Sequence, residues 1–161
     1  MKVAITGTPG TGKTSVSERL EGFRTVHLTD FVRERGLGAG NEPIEVDVDA
    51  MRESLSELEG DLVFEGHLAH RAEVDYCVVL RCEPEKLRER LSKRDYDQEK
   101  IEENLEAEAL DQILQEAVAF NQKVFEVDTT GRSVEETAEL IREAIEERKE
   151  EVGKVNWTDW L

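Results

Sequence analysis

The sequence predicts an α/β fold, a parallel five-stranded sheet with helices on both faces. Three observations predict it. Short apolar runs alternate with longer amphipathic stretches along most of the 161 residues. One run, Tyr76-Cys77-Val78-Val79-Leu80, is almost continuously apolar, as a strand covered on both sides must be. The chain also opens on a strand, a glycine-rich turn and a helix start in immediate succession. A chain of this length supports one core and leaves no room for a second domain.

Taken in order, Val3–Thr6 is the first strand and Lys13–Leu20 the first helix. Thr25–Leu28 is the second strand. Helices Asp30–Arg35 and Asp49–Glu59 follow, each opened by an Asp able to cap its free N–H groups. Asp61–Phe64 and Tyr76–Leu80 are strands three and four. Pro84–Lys93 is a helix with Pro in the first turn, where a missing N–H costs nothing. Gln98–Gln122 reads as one long, acidic, amphipathic helix. Val124–Val127 is the fifth strand, and Ser133–Glu151 a helix opened by the capping box Ser133-x-x-Glu136. Two stretches break the alternation: Gly36–Asp47, with three of the eleven glycines and Pro43, and the polar Lys93–Lys100. They are either surface connections or covers over substrates.

The turn Gly7-Thr8-Pro9-Gly10-Thr11-Gly12-Lys13-Thr14 fits G-x-x-x-x-G-K-[ST] without a mismatch. Such a loop points its N–H groups inward around an anion, and the next helix aims its positive end at the same place. Its glycines let the chain bend and approach phosphates without a Cβ in the way. Lys13 is placed to reach the β- and γ-phosphates of a nucleotide, and the Thr14 hydroxyl to ligate Mg²⁺. The predicted architecture is thus a P-loop NTPase-type three-layer sandwich.

Charge narrows the partners. The chain has 38 acidic against 21 basic residues, a net −17. It repels bare nucleic acid and anionic membranes, and no direct nucleic-acid site is expected. Arginines number 13 and lysines 8, a balance shared by salt-adapted proteins and by ordinary acidic ones. Cys77 and Cys82 have no metal-site spacing and read as reduced thiols. With no leader-like start and no apolar stretch of the ~20 residues that span a bilayer, the expected location is the cytoplasm.

Glu65 ends an apolar strand about fifty residues after the loop, where P-loop proteins place a carboxylate that holds Mg²⁺ through water. Otherwise it caps a turn. His67 follows two residues later and is functional or simply structural. Arg88, Arg90 and Arg94 cluster, with Arg90 and Arg94 on one helical face; they hold a phosphoryl group in flight or pair with neighbouring glutamates. Arg33 holds a second anionic substrate or sits as a solvated charge beside Glu34. There is no Asn-Lys-x-Asp, His-Arg-Asp or Asp-Phe-Gly, so guanine-reading and protein-kinase signatures are missing.

Together these residues resemble the adenylate kinase isoenzyme 6 family of archaea and eukaryotes, through nearly the whole chain. Gly7–Thr14 reproduces the family's Gly-Thr-Pro-Gly-x-Gly-Lys-Thr. Leu28–Glu34 is similar to its nucleotide-monophosphate-binding helix, Glu65-Gly66-His67 to its Asp-x-His, and Arg90–Tyr96 with Lys100–Asn104 to its lid. Asp95 stands where the lid usually has Gly, and Glu65 where the family has Asp. The resemblance implies a monophosphate-binding segment over 27–50 and a lid over 93–103. It implies ATP and Mg²⁺ as cofactors, AMP as acceptor, ATPase activity and contact with a small-subunit ribosomal protein during ribosome maturation. Lys13, Glu65, His67 and Arg94 become the expected catalytic residues. Gly10, Gly12, Lys13, Thr14, Ser15 and Arg94 are expected on the nucleotide, Asp30, Arg33 and Arg90 on substrate, and Thr14 with Glu65 at the metal. The rival expectations are a nucleotide-switched assembly factor, for which Trp157 and Trp160 offer docking surface unless they pack on the core, and a P-loop kinase of another metabolite.

Overall fold

A computed structural model describes residues 1–40 and 45–161. The elements are β1 (Lys2–Gly7), α1 (Lys13–Ser17), β2 (Arg24–His27), α2 (Leu28–Glu34), β3 (Gly38–Ala39), β4 (Glu45–Val46), α3 (Val48–Ser56), β5 (Leu62–Glu65), β6 (Tyr76–Arg81), α4 (Pro84–Ser92), α5 (Gln98–Ala109), α6 (Gln112–Phe120), β7 (Val124–Asp128) and α7 (Val134–Glu147). Short 3₁₀ turns lie at Ala69–Arg71 and Thr158–Trp160. Five strands form one sheet in the order β2-β5-β1-β6-β7, every neighbour parallel. All five expected strands are therefore present.

Side chains of a strand alternate between the two faces, and the core divides accordingly. Ala4, Leu62, Phe64, Cys77, Val79 and Val124 pack with Leu28, Phe31 and Val32 of α2, Met51 and Leu55 of α3, and Leu114 and Ala117 of α6. Val3, Ile5, Val63, Val78, Leu80, Phe125 and Val127 pack with Val16 of α1 and with Ala138, Ile141 and Ala144 of α7. The three-layer sandwich follows. Cys82, Leu87, Leu91, Ile101 and Leu105 close a third cluster that locks α4 to α5.

Several boundaries differ from expectation. The single helix over 98–122 is two helices, because Asp111 adopts a left-handed backbone (φ 56°). Asp tolerates that conformation. Its carboxylate is also held by the buried Arg81 at 2.5 Å. Asp30 is not a cap: α2 starts two residues earlier, at Leu28, with His27 preceding it and Asp30 in the first turn. For α3 the cap is Asp47, which accepts from the Ala50 N–H at 3.1 Å, and not Asp49. The capping box at Ser133 and Glu136 is formed, but α7 ends at Arg148 (φ 51°). Glu151 then bonds β7 through the Glu126 N–H (2.8 Å) and the Val124 carbonyl (3.2 Å).

The stretch Gly36–Asp47 holds the small β3–β4 ladder; Pro43 lies outside the described residues. Lys93–Lys100 is the turn between α4 and α5 with the first residues of α5, Asp97 capping the Lys100 N–H at 2.8 Å. Both tryptophans are half-buried; Trp160 packs on the third cluster and its indole N–H donates to Glu85 at 2.8 Å. That is the self-packing alternative.

Candidate active site

The loop after β1 sits at the C-terminal edge of the central strand, between the ends of β5 and β6. Gly12 (φ 95°) turns the chain into α1, a left-handed geometry that favours glycine. At Gly10 (φ 92°) a Cβ would come within 2.8 Å of Leu87 and 2.9 Å of Leu91. The missing side chain there lets α4 close on the loop. Lys13 curls back and donates to the Gly7 carbonyl at 2.9 Å and the Thr8 carbonyl at 3.1 Å. Burial pushes its pKa down to about 8; Glu65 opposes that shift and Arg94 adds to it.

A cavity of about 470 Å³ opens on the loop. The loop and α1 bring Gly10, Gly12, Lys13, Thr14 and Ser15 to it, β5 brings Glu65, and the turn after β5 brings His67. Arg94 enters from the α4–α5 turn, and Gln112 and Glu116 from α6. Glu65 is buried and lies opposite His27 in the β2–β5 register. The His27 Nδ1 is 2.7 Å from Glu65 Oε2, and its Nε2 is 3.6 Å from Glu18. Behind the cavity, buried His70 bridges Thr6 (Nδ1 to Oγ1, 2.8 Å) and Glu116 (Nε2 to Oε2, 2.7 Å).

A second cavity, about 270 Å³, lies on the other side of the loop, against Gly10, Thr11, Ser15, Thr129, Arg132 and Val134. Arg90 and Arg94 line it, and Arg94 alone of the two also reaches the first. Arg90 donates to the Gly10 carbonyl (3.4 Å), Thr129 Oγ1 (3.1 Å) and the Thr129 carbonyl (3.0 Å).

A family model described as an AAA domain matches residues 3–111. A protein of Natronomonas pharaonis named "Putative adenylate kinase" is 45% identical, with 100% of each chain covered. One of that name from Thermococcus kodakarensis is 43% identical over 99% of this chain and 94% of its own. The chain belongs to this family. Members of that name support nucleotide kinase activity. Among solved structures, shikimate kinase from Acinetobacter baumannii in complex with shikimate superposes with a TM-score of 0.65 at 17% identity, over 92% of this chain and 94% of that one. Deoxyadenosine kinase from M. mycoides, with dCMP and a flexible dCDP bound, gives 0.60 at 16%, over 91% and 100%. At such identity these likenesses establish the P-loop kinase fold.

Within that family fold, Gly10, Gly12, Lys13, Thr14, Ser15, Glu65, His67 and Arg94 all line the first cavity. Asp30 and Arg33 are exposed on α2 and line neither cavity. Arg90 faces the second cavity, and Arg88 is engaged by Glu85 and Glu102, the ion-pair alternative. Sequence reasoning missed His27, His70, Gln112, Glu116 and the 129–134 segment. The last had a usable signal, because ligands bind beyond the C-terminal ends of parallel strands and β7 ends at Asp128. The residues suit Mg²⁺: the Thr14 hydroxyl and Glu65 carboxylate are hard oxygen donors on one cavity wall. Among the described residues no three His, Cys, Asp or Glu side chains form a metal cluster. Among the described residues no helix is long and apolar enough to cross a membrane.

Proposed function

We propose that this chain transfers the γ-phosphoryl group of ATP to AMP, giving two ADP. One observation carries the reading: Arg94 lines both cavities that flank a complete phosphate loop. The second cavity takes the donor's adenosine, the loop its phosphates, and the first cavity the acceptor. Family relatives named for adenylate kinase support the same pair of substrates.

Lys13 leaves the Gly7 and Thr8 carbonyls and turns its ammonium to the donor phosphates, joined by the loop N–H groups and the start of α1. Thr14 and Glu65 would hold Mg²⁺, Glu65 through water, and the ion would supply positive charge against the donor phosphates. His27 keeps one Glu65 oxygen occupied and so fixes the direction of the other. Arg94 neutralises the group in transit. The acceptor is already an anionic phosphate, so positioning and charge neutralisation carry the rate and no strong base is needed. The α4–α5 turn, with Arg94, acts as the lid over 93–103, and the segment 27–50 as the acceptor side; both are parts of the proposal. His67 orients the acceptor or a water. When water enters the acceptor's place, the same machinery hydrolyses ATP, which is the expected side activity.

The test is ADP formation from ATP and AMP with Mg²⁺, beside a control without acceptor, at low and at molar salt. AMP-dependent ADP is the expected result; hydrolysis alone would leave the switch reading. That second reading, an assembly ATPase that grips a small-subunit ribosomal protein during ribosome maturation, draws on the net charge of −17, which complements a basic partner. Pull-down in ATP against ADP separates the two.

A further inference from the structure

Phosphoryl transfer gives Gln112, Ile113 and Glu116 no task, although α6 places all three on the wall of the first cavity. Gln112 and Glu116 are one helical turn apart and share a face. Glu116 is anchored. Its Oε2 is 2.7 Å from Nε2 of His70, a ring with no exposed surface whose Nδ1 is 2.8 Å from the Thr6 hydroxyl. Burial holds the His70 pKa below the ordinary histidine value, against the opposing pull of Glu116, so the ring is neutral near pH 7. A neutral ring has one proton. An ionised carboxylate only accepts, so that proton sits on Nε2, and Nδ1 accepts from Thr6. The imidazole is a fixed wedge between β1 and α6, and it sets the position of the Glu116 carboxylate.

The Glu116 side chain is still 39% exposed, so it meets both His70 and whatever fills the cavity. A fixed carboxylate accepts N–H donors and repels carbonyl oxygens. Leu68 and Ile113 supply apolar surface to the same wall, as a heterocycle requires. We propose that Glu116 is the specificity-determining residue for the acceptor's base and accepts from its exocyclic amine, with the Gln112 amide donating to the neighbouring ring nitrogen. The inference rests on the transfer reading above for what occupies this cavity.

AMP and IMP isolate that interaction, because they differ only in a 6-amino against a 6-keto group and the proton on the adjacent nitrogen. Equilibrium binding of each, by calorimetry without ATP, is measured on wild type and on Glu116→Gln. Wild type is expected to prefer AMP by about tenfold or more, the effect of one charge-assisted hydrogen bond. Glu116→Gln, whose amide donates to the keto oxygen, is expected to lower that preference about tenfold. His70→Gln keeps a donor toward Glu116 and retains the preference, whereas His70→Leu lowers it; if His70→Leu does not fold, Glu116→Gln decides. Equal binding of AMP and IMP by wild type, or an unchanged preference in Glu116→Gln, overturns the assignment. The two readings fail separately. ADP formed by a Glu116→Gln enzyme that still prefers AMP leaves transfer standing and removes Glu116 from selection. Selective AMP binding that responds to Glu116→Gln, without any ADP formed, does the reverse.

Discussion

Burial lowers the pKa of Lys13 to about 8, and this has a measurable sign. Below pH 8 the ammonium is charged and available to a triphosphate. Bound phosphates favour the charged form and return its pKa toward the ordinary value of 10.5. Between those two values binding therefore takes up a proton, and nucleotide affinity falls as pH rises. From pH 7 to pH 9 the expected loss is roughly tenfold, absent in Lys13→Met, as read by titration calorimetry in buffers of different ionisation heat. Glu65 offers a second test. The family resemblance places Asp here, and the extra methylene carries the carboxylate to His27 at 2.7 Å. His27→Phe removes that partner. It is expected to lower kcat about tenfold with little change in the KM for ATP, because the carboxylate remains but is no longer aimed. An equal change in both would assign His27 to nucleotide binding instead.

Among the elements, the junction of α5 and α6 is built on a buried charge. Arg81, at the end of β6 and 1% exposed, is 2.5 Å from Glu108 and Asp111 and 2.6 Å from Glu126. Glu126 also accepts from the Gly153 N–H at 3.0 Å, so the same cation ties the C-terminal segment to the sheet. Arg81→Met leaves these carboxylates uncompensated and is expected to cost about 3–5 kcal/mol, a melting temperature lower by about 10 °C or more. A shift under 2 °C would contradict that role. The helix break at Asp111 was illegible in sequence for the same reason: its cause lies thirty residues upstream, on a strand. Four of the strands were legible because each is short and mostly apolar, and β2, Arg-Thr-Val-His, was legible from its place in the strand–helix alternation. The phosphate loop was legible because all its parts are contiguous. His27, His70 and Glu116 were not, since each gains its meaning from a partner on another element: β5 for His27, β1 and α6 for His70. Arg90 shows the opposite error. Its spacing from Arg94 suggested one shared helical face, but α4 ends at Ser92 and leaves Arg94 in the turn beyond it, while the Thr129 backbone that holds Arg90 lies beyond the reach of local pattern.

For the whole molecule, the balance of charge is set against its binding task. A net −17 repels anionic nucleotides, and the site answers with Lys13 and Arg94 on one side of the loop and Arg90, Arg94 and Arg132 on the other. Exposed carboxylates repel one another through water, where salt screens them within about 10 Å at 0.1 M. Thermal stability is therefore expected to rise by several degrees from low to molar KCl; a flat or falling melting curve would remove salt adaptation as an explanation of the composition. Flanking cavities and a bridging arginine give the molecule its proposed purpose, passing a phosphoryl group from one nucleotide to another. ATP labelled in its γ-phosphoryl group, incubated with AMP, Mg²⁺ and the full chain, tests this most directly. Label recovered in the β-position of ADP made from AMP is the predicted result. Label found only in inorganic phosphate would contradict it.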